Sequence, residues 1–314
     1  MPTTDGKAAA TRDAAIAGAV AGGASRLVAA PLDLIKIRFQ VQQAPISSHP
    51  GAKYVGFLQS IRSIHAEEGL RGFWRGNLAA TGLWISYSAV QFGAYGGLKT
   101  LWPPDIANQH STLVSSVNGA TAGVLATVVT YPLDLFRTIF ASQGVPKQFP
   151  TLQSLASHTL ETRGVVGFYN GLGPTLCQIA PYMGLSFGIY AALNDLTASS
   201  GVHWVLSYVG TGATAGLVSK LMVYPLDTVK KRMQIRQLQR NPSYGVMTPY
   251  SSSWACFLDI VRREGMRGLY KGTVPSLLKS VVTHSSTFAS YEVALVVLQR
   301  LRQDEDDDDE MDKL

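Results

Sequence analysis

Three stretches decide how the chain folds: PLDLIK (Pro31–Lys36), PLDLFR (Pro132–Arg137) and PLDTVK (Pro225–Lys230). They recur 101 and 93 residues apart. Thirteen residues before each proline stands a small-residue motif, GAVAG at Gly18, GATAG at Gly119 and GATAG at Gly212. After each comes a glycine-aromatic segment: EGLRGFWRG from Glu68, RGVVGFYNG from Arg163 and EGMRGLYKG from Glu264. Nine elements in one order and near-constant register mark a triplicated unit of roughly 100 residues. The repeats are expected at 13–110, 111–204 and 205–302, after a polar segment 1–12 and before an acidic tail 303–314.

Composition sets the environment of the repeat. Of 314 residues, 46% are hydrophobic and 15% charged, against about 25% charged in soluble proteins. This excludes disorder for the body of the chain and disfavours a pair of soluble domains. The net charge of +6 averages unlike populations: the last twelve residues carry −7, and the rest therefore +13. Of the 27 Lys and Arg, 18 fall in 36–75, 137–170 and 230–271, while the loops 97–115 and 194–207 hold only Lys99. That alternation follows the positive-inside rule for a membrane protein with an even number of spans and both termini on the less basic side. It explains the basic balance without nucleic acid. The run Asp304–Glu310 is expected as a solvated, disordered tail. No secretory signal is visible, and Cys177 and Cys256 are too few for a disulfide framework.

Each repeat reads as two membrane helices, an odd one containing the proline and an even one after the glycine-aromatic segment. The odd helices are expected near 14–40, 114–142 and 206–236, long enough to span a bilayer core. GxxxG faces allow close helix approach, and related proline kinks would draw three helices together at one membrane face.

With these residues in view, the chain resembles the mitochondrial carrier family, whose repeat carries P-x-[DE]-x-x-[KR]. The resemblance covers about residues 13–300. It implies an all-α membrane protein of six tilted helices around a water-filled cavity, short matrix-side helices within each repeat, and alternating access across the mitochondrial inner membrane. It also implies a monomer surrounded by membrane lipids, cardiolipin among them at the helix starts near Gly72, Gly167 and Gly268.

Within each proline motif the acid and base lie three residues apart on one helix face. Asp33 with Lys36, Asp134 with Arg137 and Asp227 with Lys230 place three acids and three bases at one depth, where interhelical pairing offsets the cost of charge in the membrane. A breakable ring of this kind suits a gate. Gln40 and Gln234 match the family's brace position, nine residues after the proline, and Ala141 departs from it. The family's aromatic-acid-base motif on the even helices is degraded to Tyr95-Gly96 with Lys99, Tyr190-Ala191 with Asn194 and Tyr291-Glu292 with Leu295. Only Lys99 and Glu292 can pair, so the cytoplasmic gate is expected to be weaker than the matrix gate.

Removing the clustered and terminal cations leaves Arg26, Lys220 and Lys279. Arg26 and Lys220 share one repeat position, seven residues before the gate acid, where the second repeat has Thr127. Beyond the gate acids and Glu292 the expected spans contain no acid, so these cations are read as lacking dedicated partners. Three such cations predict a polyanionic substrate, and Lys and Arg both suit phosphate oxygens. The family's contact points fall on Leu83, Gln178 with Ile179, and Lys279. The resemblance implies an Arg at the first of these points in amino-acid, keto-acid and ADP/ATP carriers, so Leu83 disfavours those groups. One turn on stand Tyr87, Tyr182 and Thr283, then Gln91, Ser186 and Thr287, a surface suited to a heteroaromatic phosphate ester.

PLDLIKIRFQVQ, SYSAVQF from Ser86, LFRTIFASQGVPK, GLGPTLCQIAPYMGLSF and LVSKLMVYPLDTVKKRMQ resemble the branch of the family that carries thiamine pyrophosphate. The resemblance implies that ester as transported substrate, exchanged for phosphorylated thiamine or nucleotides, with no catalytic cofactor. Arg26, Lys220 and Lys279 would hold the pyrophosphate, Tyr87 or Tyr182 would stack on a ring, and Gln91 or Gln178 would read the pyrimidine edge. An adenine nucleotide or coenzyme A carrier would use the same cations. An enzyme is disfavoured, because the six histidines show no ligand spacing and there is no P-loop or GxSxG. A proton-leak or purely structural membrane protein would leave the three cations unexplained.

Overall fold

The computed structural model describes residues 4–44, 52–103, 105, 109, 111–198, 204–236, 238 and 250–311. Each repeat consists of a long helix, a twelve-residue connecting helix, one tight turn of helix and a second long helix. In the first repeat these are α1 (Thr4–Val41), α2 (Phe57–Glu68) and α3 (Asn77–Lys99), with a 3-10 turn at Leu70–Trp74. The second has α4 (Ser111–Ser142), α5 (Leu152–Arg163) and α6 (Leu172–Ala198), with its 3-10 turn at Val165–Tyr169. The third has α7 (Trp204–Gln234), α8 (Ser253–Glu264), the short α9 (Met266–Leu269) and α10 (Thr273–Met311). Among the described residues there is no strand.

Local chemistry sets the connecting helices. Ser252 and Thr151 cap α8 and α5 by accepting from the backbone N–H three residues on, which satisfies one of the orphan donors of a helix start. Gly69, Gly164 and Gly265 end α2, α5 and α8. The proline-bearing helices close in a related way twice: the Gln42 side-chain amide pairs with both backbone groups of Tyr54, and that of Gln143 with both of Phe149.

Several expected boundaries move. α1 starts at Thr4 rather than 14, because Lys7–Thr11 is alanine-rich and a good helix former; Asp13, 7% exposed, thus lies inside a long helix. The even helices start at Asn77, Leu172 and Thr273, after Gly72, Gly167 and Gly268, which sit buried in the preceding turns. Residues 303–311, expected as disordered, continue α10 to Met311. The stretch has no Gly or Pro, and an established helix propagates at one hydrogen bond per residue.

Four described segments are long and apolar enough to cross a membrane: Ile16–Val41, Val114–Ser142, Val165–Leu196 and Met266–Leu301. α3 and α7 are also long enough, but Ser86, Tyr87, Ser88 and Gln91 interrupt the first, and Lys220, Asp227 and Lys230 the second.

The chain divides into two units, Met1–Asp33 with Val274–Leu314, and Leu34–Thr273. In the larger unit α3 lies along α4 and α6 along α7, so the even helices of the first and second repeats pack on the odd helix of the next. At the end of that unit where the proline motifs lie, Ile37, Val41, Leu135, Ile139, Leu155 and Ile235 share one apolar cluster.

Candidate functional site

Two ion pairs among the acids and bases of the proline motifs lie wholly within the larger unit, and both join different repeats. Lys36 Nζ meets Asp227 Oδ2 at 2.6 Å, joining the first repeat to the third. Lys230 Nζ meets Asp134 Oδ2 at 2.9 Å, joining the third to the second. The two glutamines reach the same carboxylates: Gln40 Nε2 donates to Asp227 Oδ2 at 3.0 Å and Gln234 Nε2 to Asp134 Oδ2 at 2.8 Å. The proline motif thus does what its spacing allows: acid and base sit on one face of a helix, and each reaches a different neighbour. Arg137 lies on α4 in the larger unit, and Asp33 belongs to the smaller one.

Glycine makes this close approach possible. Gly171 (φ +86°) and Gly272 (φ +83°) precede α6 and α10 in the left-handed region. A Cβ on Gly171 would stand 2.9 Å from Tyr131 Oη and 3.1 Å from the Lys230 carbonyl; one on Gly272, 2.9 Å from the Lys36 carbonyl. Gly76 meets the Arg137 carbonyl in the same fashion. Lys36, Arg137 and Lys230 therefore each have their backbone seated on a glycine of another repeat. Tyr131 Oη donates to the Asn170 carbonyl and Tyr224 Oη to that of Lys271, at 2.9 and 3.1 Å; the first repeat has Ala30 at that position.

Lys279, expected to stand without a dedicated partner, forms an ion pair with Asp33 of the first proline motif inside the smaller unit. The sequence reading failed here because it counted partners along the expected spans and set the gate acids aside for one another. Arg26 and Lys220 are also not without partners. All three cations are half-buried. Of the remaining predicted contacts, Leu83, Tyr87 and Gln91 lie half-buried on α3, Gln178, Ile179 and Tyr182 on α6, and Thr127 on α4. The Tyr87 hydroxyl lies against Gly123 of the GATAG motif, 3.6 Å from where a Cβ would stand. Thr127 Oγ1 donates to the Gly123 carbonyl at 2.7 Å, so its hydroxyl proton is used within α4. Tyr95, Tyr190 and Tyr291 are half-buried, while Lys99, the last residue of α3, and Glu292, on α10, are exposed.

Sequence reasoning missed a second layer of charge. Arg38, 0% exposed, is held by Glu68 through both guanidinium arms (2.5 and 3.0 Å) and donates to the carbonyls of Ala141 and Gln143 at the end of α4. Arg232, 2% exposed, pairs with Glu264 and donates to the carbonyls of Gln40 and Gln42 at the end of α1. Arg75 and Lys271 complete each carboxylate's partners, and Lys271 also donates to the carbonyls of Gln42, Gln43 and Ala44. These cations cap the negative ends of helices from other repeats. The signal was available: the position seven residues after the proline reads Arg38, Ile139, Arg232, and its partner position reads Glu68, Arg163, Glu264.

Threefold repetition of membrane-length helices, inter-repeat ion pairs braced by glutamine and cations along the same helices define a solute carrier built of three modules. The chain belongs to the mitochondrial carrier protein family, whose model matches residues 9–105, 108–200 and 202–301. It is 42% identical over 310 residues to mitochondrial thiamine diphosphate carrier 2 of Zea mays, covering 88% of this chain and 91% of that one. It is 41% identical over 308 residues to mitochondrial thiamine diphosphate carrier 1 of Arabidopsis thaliana, covering 89% and 92%. With the mitochondrial thiamine pyrophosphate carrier of Homo sapiens the identity is 38% over 299 residues, 93% of each chain.

Proposed function

We propose that the protein resides in the mitochondrial inner membrane, both termini toward the intermembrane space, and carries thiamine pyrophosphate into the matrix in exchange for phosphorylated thiamine or nucleotides. It performs no covalent chemistry. The observation that carries this reading is the likeness, over about nine-tenths of the chain, to plant and human proteins named for that substrate.

The residues suit the task. Pyrophosphate oxygens compete with the Asp33 carboxylate for Lys279 Nζ, so the arriving substrate exchanges one anion for another instead of confronting a bare cation. Arg26 supplies a bidentate fork and Lys220 a third positive charge. Tyr87 or Tyr182 stacks on a ring, Gln91 or Gln178 reads the pyrimidine edge, and Leu83, Ile179 and Thr127 fill the neighbouring contact positions. Opening toward the matrix requires the Lys36–Asp227 and Lys230–Asp134 pairs to part. The gate toward the intermembrane space is the weaker one, since its degraded motifs offer Lys99 and Glu292 as charged members and Tyr95, Tyr190 and Tyr291 as aromatic ones. Substrate lowers the barrier by stabilising the intermediate occluded arrangement over both end states. Cardiolipin near Gly72, Gly167 and Gly268 belongs to the same proposal.

Uptake by purified protein in liposomes, comparing thiamine pyrophosphate, thiamine monophosphate, ADP and coenzyme A, tests the substrate. Preferential saturable accumulation of thiamine pyrophosphate is expected. Preference for ADP or coenzyme A would replace this reading by a nucleotide or coenzyme A carrier.

A further inference from the structure

The two braces are not held alike. Gln40 donates through Nε2 to Asp227, and its Oε1 is buried with no hydrogen-bond partner among the described residues. Gln234 is satisfied at both ends. Its Nε2 donates to Asp134 Oδ2 at 2.8 Å and to Tyr131 Oη at 3.3 Å. Its Oε1 accepts from Thr138 Oγ1 at 2.8 Å and from Lys231 Nζ at 3.0 Å.

Lys231 is 6% exposed. Its ammonium has three N–H bonds, and three acceptors stand around it: Thr138 Oγ1 at 2.7 Å, Gln234 Oε1 at 3.0 Å and Asp134 Oδ1 at 3.6 Å. A cation can face only the oxygen end of an amide, so Lys231 fixes which way Gln234 points and delivers its Nε2 to the carboxylate. The positions equivalent to Lys231 are Ile37 and Thr138. At the Lys36–Asp227 pair, the neighbour beside the base is therefore an isoleucine, and Gln40 Oε1 accepts no hydrogen bond among the described residues.

We infer that Lys231, with Thr138, is a positioning residue that locks the Gln234 brace onto the Asp134–Lys230 pair, so that the junction of the second and third repeats is the tighter part of the gate and parts after the junction of the first and third. This rests on the carrier reading above. Lys231 acts through Gln234 and touches no substrate.

The test is a double-mutant cycle on the full chain, read in thiamine pyrophosphate exchange by proteoliposomes and in thermal unfolding of the detergent-solubilised protein. Lys231→Met and Gln234→Leu should each change the exchange rate several-fold, and together they should do no more than Gln234→Leu alone. Lys231→Met with Gln40→Leu should multiply their separate effects, a contrast that a general packing defect at Lys231 would not produce. Lys231→Arg, which keeps the cation, should restore coupling to Gln234. Independent effects of Lys231→Met and Gln234→Leu in both readouts would overturn the inference. Thermal unfolding needs no substrate, so a parent chain that exchanged no thiamine pyrophosphate would count against the proposed substrate while the coupling was still decided.

Discussion

The second repeat differs from the first and third where the connecting helix meets the proline-bearing helix. The outer repeats bury a guanidinium against a glutamate and surround that carboxylate with a further cation, Arg38–Glu68–Arg75 and Arg232–Glu264–Lys271. In the second repeat the corresponding residues are Ile139, Arg163 and Asn170. Ile139 is fully buried in the apolar cluster with Leu135, Phe136 and Leu155, and Arg163 is exposed. One architecture is thus reached by two routes, a desolvated ion cluster in two repeats and apolar packing in one. The difference also has a direction. Arg38 caps the end of α4 and Arg232 the end of α1, whereas the equivalent residue of the second repeat, Ile139, has no donor to offer α7. There Lys231 and Gln234 make the link to Asp134 instead.

The contrast predicts unequal costs. Glu264→Ala leaves Arg232 and Lys271 buried without their carboxylate and should cost about 3–5 kcal/mol of stability, whereas Arg163→Ala should change it by less than about 0.5 kcal/mol. Equal shifts of the thermal midpoint would erase the distinction. A transplant sharpens it further. Ile139→Arg alone buries an unpaired charge, and adding Arg163→Glu should recover up to about 3 kcal/mol through their coupling. Additive losses would mean that the second repeat can no longer accommodate the ion cluster.

A third comparison sets what all repeats share against what none needs. Gly171→Ala and Gly272→Ala, at positive φ with carbonyls of another repeat within 3.1 Å of the new Cβ, should each lose about 1–3 kcal/mol. Gly93→Ala, with nothing within 4 Å, should be neutral or stabilising.

The smallest effect concerns the connecting helices. Burial pushes the Cys256 thiol of α8 from 9.0 to about 12 and the nearby Tyr250 phenol from 10.0 to about 12. A raised folded-state value favours the protonated folded form. Its contribution is complete below the ordinary value and is lost as pH climbs toward about 12. At one unit above the ordinary thiol value the thiol's share is about 1 kcal/mol. Cys256→Leu, the residue that the second repeat carries there as Leu155, should remove that share of the alkaline loss in a pH series of thermal midpoints.

The repeat, the long helices and the set of acids and bases gathered at one depth were legible in the sequence because each rests on spacing along one helix, whereas which acid meets which base, Lys36 with Asp227 and Lys230 with Asp134, depends on helix packing and was not. The positions of Gln40 and Gln234 came from the family pattern, and each glutamine donates to a carboxylate of another repeat. The partner of Lys279 was not legible, since it depends on which face of α10 meets the acid of α1 rather than on any period. The network of Lys231 was hidden for a different reason. Its residue type occurs in one repeat only, and a search for threefold similarity passes over what a single repeat has gained. The helical course of residues 303–311 was obscured by composition, which describes solvation and says little about backbone hydrogen bonding.

The central claim, that the anionic substrate is drawn to a cation otherwise engaged with Asp33, is tested most directly at Lys279. Thiamine pyrophosphate uptake into liposomes should be compared for the parent chain and Lys279→Ala, each checked for folding by thermal unfolding. The account predicts saturable uptake by the parent chain and its loss in a variant that remains folded; unchanged uptake by Lys279→Ala would contradict it.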